Sequence, residues 1–162
     1  MEEKEFRKLV KKNLYQVFLF SCPAPIPTNF ALHYWFVVNN KGKLSRWDLL
    51  VKPSQVKTSW RYLHKTNKDF SLGLNKYHFK LYPRSKSKFH RLISGKKGSL
   101  AEKIVKFIEK SPKNYPYCEK YHLLGPNSNT YIQWIINKFP ESGFKLGWRA
   151  FGKNYNIKPK GI

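Results

Sequence analysis

Residues 30–51 constrain the fold more than any other stretch. Residues 30–38 (FALHYWFVV) are almost uninterrupted in apolar character, which suits a strand covered on both faces. Asn39-Asn40-Lys41-Gly42 follows, with Asn and Gly where a tight turn needs positive φ. Residues 43–51 (KLSRWDLLV) return as a second strand. A two-residue loop at Asn40-Lys41, or a four-residue loop from Asn39 to Gly42, sets His33 opposite Asp48, Trp35 opposite Arg46 and Val37 opposite Leu44. Directly opposed Cβ atoms lie about 4.5–5.5 Å apart. A three-residue loop with a bulge would instead put Leu49 opposite His33. His33 is the only ionisable side chain of residues 30–38, and Asp is disfavoured inside strands, so the pair is a candidate functional couple.

The rest of the chain fits an α+β domain. A charged N-terminal segment, residues 1–13, precedes a single domain at 14–162. Further strands are expected at 14–21 and 76–82, with a short one at 58–64. The prolines of 22–29 make an extended connector, and 66–73 reads as a loop. Helices are expected at 99–110, capped by Ser99 and ended by Pro112, and at 129–139. An antiparallel sheet of about four to six strands would then pack against two or more helices. The two cysteines, Cys22 and Cys118, show neither a disulfide framework nor metal-ligand spacing, so no metal and no cofactor is expected.

Charge is the unusual property. Lys and Arg number 32 against 9 Asp and Glu, for a formal net charge of +23. Such a chain attracts polyanions: nucleic acid, an anionic membrane surface or an acidic protein. The densest basic run, 83–97, carries Arg84, Lys86, Lys88, Arg91, Lys96 and Lys97, and reads as a loop. With exposed aromatics such as Trp60, Tyr62 and Trp148 it could grip a polyanion. It equally fits a solvated surface loop. No stretch is long enough to span a membrane. Residues 19–22 resemble a lipoprotein cleavage box, but Glu2, Glu3 and Glu5 precede it and Gln16 interrupts the apolar run. The expected location is therefore the cytoplasm, or export without a recognisable signal.

Residues 123–134 (LLGPNSNTYIQW) combine a Gly-Pro turn, a run of capping side chains and an apolar helical pattern. Gly125, Pro126, Asn127, Asn129 and Thr130 would shape a pocket at the helix end, with Ser128 at its N-terminus. There the free amides and the helix dipole would favour an oxyanion. Three readings of Ser128 stay open: a nucleophile, part of a relic or ligand-binding pocket, or a helix cap. Cys118 is the only other plausible nucleophile, in a Pro/Tyr loop without the helix-end setting.

The progression FALHYWFVV, RWDLL, YPY, GPNSNT and FGKNY resembles an uncharacterised bacterial family, Domain of Unknown Function family thirty-seven-fifty, across about residues 15–155. Tyr131 stands where the family has Phe, and Asn154 where it has Asp. The family has no established activity. A more distant likeness is to permuted papain-like enzymes of the NlpC and lecithin:retinol acyltransferase type. These place a His on an early core strand, a polar residue beside it, and a Cys at the start of a later helix. That resemblance implies Ser128 as nucleophile in place of Cys, His33 as base, Asp48 as its orienting group, and an amide or ester hydrolase or acyltransferase that is weak or has lost its activity. The alternative is a non-catalytic basic module that binds a polyanion.

Overall fold

The computed structural model describes residues 1–24, 28–50, 59–60, 63–66, 70 and 87–157. Six strands are described: β1 (Tyr15–Pro23), β2 (Leu32–Asn40), β3 (Lys43–Leu49), β4 (Ser59–Trp60), β5 (Leu63–Thr66) and β6 (Lys88–Gly95). They form one antiparallel sheet in the order β4-β5-β3-β2-β1-β6. Three α-helices accompany it among the described residues: α1 (Glu3–Leu9), α2 (Leu100–Asn114) and α3 (Ser128–Lys138). The architecture is α+β, as the sequence pattern predicts.

Both faces of the sheet are covered, which explains the apolar run through β2. Tyr34, Phe36 and Val38 join Val17, Leu19, Trp47 and Leu49 beneath α2 and α3. Trp35 and Val37 face the other way, with Phe18, Phe20 and Phe6 of α1. Phe6 is fully buried, so the charged N-terminal segment docks onto the sheet through one aromatic anchor.

The β2–β3 register differs from the expected one by two residues. Val37 pairs with Arg46 and Asn39 with Leu44, so Lys41 and Gly42 form the loop. Both have positive φ, 49° and 93°. The cause is Asn39, which is buried and accepts a hydrogen bond from the Gly42 amide at 2.7 Å while donating to the Lys11 carbonyl at 2.8 Å. Asn40 stays in the strand, donating to Glu109 at 3.1 Å. His33 is therefore not directly opposite Asp48. A shift of two keeps every side chain on its face, however, so the two still meet diagonally.

Other boundaries also moved. β1 runs on to Pro23, which pairs with Leu32. Pro112 lies inside α2 rather than ending it, because in the last turn it forfeits only its own amide bond, and Tyr115 N–H still reaches the Ser111 carbonyl at 2.7 Å. The basic run is not all loop: Lys88–Gly95 is β6, paired along β1. Phe89 and Leu92 pack beside Phe20, and Ile93 packs on the helical side, which is enough apolar anchoring for an edge strand. The strand expected at 76–82 lies outside the described residues, as do Tyr62, Arg84 and Lys86.

Candidate functional site

The helix-end motif is held by its own polar side chains. Asn127, not Ser128, is the N-cap of α3: its Oδ1 accepts from the amides of Asn129 and Thr130 at 3.0 and 3.2 Å. Thr130 Oγ1 accepts from the Asn127 amide at 3.1 Å, completing a capping box. The cap reading of Ser128 is thereby overturned. Asn has the better reach, and its Nδ2 is spent as well, on the carbonyls of Leu123 and Phe151 at 2.8 and 3.1 Å. Thr130 Oγ1 also donates to the Gly152 carbonyl at 2.7 Å. Gly152 has φ 84°, and a Cβ there would collide with the Asn127 side chain. At the preceding turn, Gly125 has φ 109°, a cis bond to Pro126, and Tyr155 packed where a Cβ would project. The GPNSNT and FGKNY motifs, separate in sequence, thus form one structural knot.

Asn129 ties that knot to the sheet. β2 pairs with β3 only as far as Phe36–Trp47, and beyond that the edge of β2 facing β3 is open. The Asn129 side chain fills it. Its Nδ2 donates to the carbonyls of Leu32 and Phe151 at 2.8 and 2.9 Å, and its Oδ1 accepts from the Tyr34 amide at 3.2 Å. It therefore grips the backbone on both sides of residue 33 while its own chain neighbour is Ser128.

His33, Arg46 and Asp48 lie on the sheet face opposite α3, stacked against Trp35. The His33 ring is 5.9 Å from the indole, and the Arg46 guanidinium sits 4.2 Å above it. All three are at most 4% exposed. Asp48 Oδ2 accepts from Arg46 Nη2 at 2.8 Å, Arg46 Nε at 3.1 Å and His33 Nε2 at 3.3 Å. Burial alone would push the Asp48 carboxyl up, but the Arg46 charge and then the His33 hydrogen bond hold it well below the usual carboxylate range. Burial lowers His33 more than Asp48 raises it. The imidazole is therefore neutral, and Nε2 carries the proton that meets the carboxylate. Nδ1 is left with its lone pair and has no partner among the described residues. Asp48 Oδ1 is buried and has no partner either.

Ser128 is 3% exposed and lies close to the Tyr121 phenol, whose proton it helps loosen against the effect of burial. Burial pushes that phenol up, so Tyr121 is protonated. The carboxylate of Asp48 adds to the rise at the phenols of both Tyr121 and Tyr131. No hydrogen bond joins Ser128 to His33. Among the first amides of α3, the cap engages those of Asn129 and Thr130 and leaves that of Ser128 without a partner.

Several side chains were legible only in three dimensions. Cys22, buried in β1, is the direct cross-strand partner of His33. Ser21 and His90 form a hydrogen-bonded pair at 2.7 Å, with the His90 ring 5.2 Å from that of Tyr34. Cys118 is buried, and its thiol donates to the Tyr115 carbonyl at 3.4 Å, a structural role. Lys88, Arg91, Lys96 and Lys97 are exposed on and just beyond β6. Among the described residues, no group of side chains could hold a metal ion, and no helix is long and apolar enough to cross a membrane.

Residues 15–155 match the family described as Protein of unknown function (DUF3750). No curated protein and no solved structure matches the chain.

Proposed function

The chain belongs to the DUF3750 family, whose function is unknown, and we propose from the site itself that it is a permuted papain-like hydrolase or acyltransferase of amides or esters. The observation that carries this reading is the buried Arg46–Asp48–His33 network. It fixes a neutral imidazole by Nε2 and leaves Nδ1 as a base. In this mechanism Ser128 Oγ, with His33 brought within reach past the end of the β2–β3 ladder, attacks the carbonyl carbon of the substrate. His33 Nδ1 takes the hydroxyl proton, and the carbonyl oxygen, now an anion, lies at the Ser128 amide and the positive end of α3. The imidazolium returns its proton to the leaving amine or alkoxide as the carbon–leaving-group bond breaks. Water or an acceptor alcohol then releases the acyl group from Ser128 by the reverse sequence. Asp48 stabilises the imidazolium throughout, and Arg46 keeps Asp48 ionised.

A fluorophosphonate probe tests the reading. It should label Ser128, as located by peptide mass spectrometry, and His33→Ala should abolish labelling. Ser128→Cys should react with iodoacetamide well below the ordinary thiol range, a shift that His33→Ala removes. Failure of both probes to reach residue 128 in folded protein overturns the proposal. The second reading, a non-catalytic basic module, draws on the exposed Lys88, Arg91, Lys96 and Lys97. Its binding to single-stranded nucleic acid should fall by about 0.7 log units per log unit of salt for each phosphate neutralised.

A further inference from the structure

Three turns at one end of the molecule each present an apolar side chain to solvent. Phe30 sits in the turn closed by the Ala31 amide on the Thr28 carbonyl; Leu124 sits in the turn closed by Gly125 on His122; Trp148 sits in the turn closed by Ala150 on Gly147. They are 55%, 73% and 81% exposed, against a core in which aromatic residues are almost wholly buried. They form one patch. Leu124 and Trp148 line the same shallow depression of about 300 Å³ with Phe151 and Tyr155, and Phe30 packs edge-on against Phe151 at 5.6 Å. Cations border it: Arg149, anchored on the Asn29 and Phe30 carbonyls, and Lys153, anchored on the carbonyls of Leu146 and Gly147. Lys120 and Lys145 are exposed nearby along the chain.

We propose that this end of the molecule docks on an anionic membrane surface, with Phe30, Leu124 and Trp148 entering the headgroup region. Exposed apolar patches mark interaction sites. The side chains stand at separate turn tips rather than along a groove, which suits a deformable lipid surface better than a peptide. Trp favours the membrane interface, and nearby Lys and Arg are attracted by anionic headgroups. The net charge of +23 supplies the complementarity. Docking in this way presents the outer side of the helix-end knot to the lipid. The inference stands independently of any chemistry at Ser128.

Vesicle sedimentation tests it, with phosphatidylcholine vesicles containing about one quarter phosphatidylglycerol, and phosphatidylcholine alone as comparison. The wild-type chain should bind the anionic vesicles and not the neutral ones. The double variant Leu124→Ser/Trp148→Ser should bind about tenfold or more weakly, at unchanged thermal stability, since both side chains are exposed. A Trp148→Phe variant should retain binding, and the remaining tryptophans should report no quenching by brominated lipid. Equal binding by wild type and double variant overturns the proposal, because the basic surface alone would then suffice. So does absence of binding, or a wild-type dimer in sedimentation that the double variant abolishes, which would make a second copy the occupant.

Discussion

Asn129 is the side chain on which the assembly of the helix end and the sheet most depends, and its replacement gives the sharpest test of the structure. It is 4% exposed and makes three hydrogen bonds, all to backbone, at 2.8, 2.9 and 3.2 Å. Asn129→Ala removes all three and leaves the Tyr34 amide and the Leu32 carbonyl facing a void beside an open strand edge. At about 1 kcal/mol per lost bond, plus the desolvation of orphaned groups, the loss is about 3–4 kcal/mol. For a chain of this size that lowers the unfolding midpoint by about 10 °C. Asn129→Asp is nearly isosteric and discriminates further. One oxygen still accepts from the Tyr34 amide, but the other replaces a donor and faces two carbonyl oxygens. At neutral pH it should destabilise at least as much as Asn129→Ala. Relative to wild type, the deficit should shrink as pH falls toward the ordinary carboxyl range, because a protonated carboxyl can donate where Nδ2 did. Urea unfolding at a series of pH values reads both effects. A loss below about 1 kcal/mol for Asn129→Ala, or an Asn129→Asp variant as stable as wild type at neutral pH, would refute the bonding described at this junction.

Three further outcomes follow from the same contacts. Ser128→Ala should cost less than about 1 kcal/mol, whereas Asn127→Ala, which loses the cap and two bonds to carbonyls, should cost about 2–3 kcal/mol; the reverse order in urea titrations would return the cap to Ser128. Gly152→Ala combines a positive φ with a collision against the Asn127 side chain and should cost about 2–3 kcal/mol, measured the same way. Burial lowers His33 and His90 below their ordinary value of 6.5, so the unfolded chain takes up protons first as pH falls; the stability they contribute is full above that value and is lost below it. The unfolding free energy should therefore fall between about pH 7 and pH 5, and His33→Gln/His90→Gln should flatten the slope. A flat wild-type profile over that range would contradict a neutral, buried His33.

The sequence exposes those parts of the fold that local chemistry decides. The β2–β3 hairpin is visible because its apolar run and its Asn- and Gly-bearing turn segment both act at short range. Its register is not, because Asn39 chooses the turn position through Lys11 and Gly42, and the Lys11 bond belongs to a distant segment. The error was harmless to the site for a geometric reason: a slip of two residues preserves faces, so His33 still meets Asp48. β6 was hidden by its lysines, since an edge strand needs apolar anchors on few positions and Phe89, Leu92 and Ile93 are spaced among basic residues. In the sequence Arg46 is only a register neighbour of Trp35. Its role in holding the Asp48 carboxylate requires knowing that both are buried.

The helix-end motif shows why Ser128 stands apart. In NSNT, both asparagines and the threonine are consumed by the cap, the edge of β2 and the Phe151–Gly152 turn. Each of those bonds is a structural reason for that residue type at that position. Ser128 has none of them: it neither caps the helix nor ties two segments together, yet it is buried at the amide end of α3, near the Tyr121 phenol. With capping assigned to Asn127, the Ser128 hydroxyl is the one group of the motif left over for the proposed chemistry, with His33 as its proposed base.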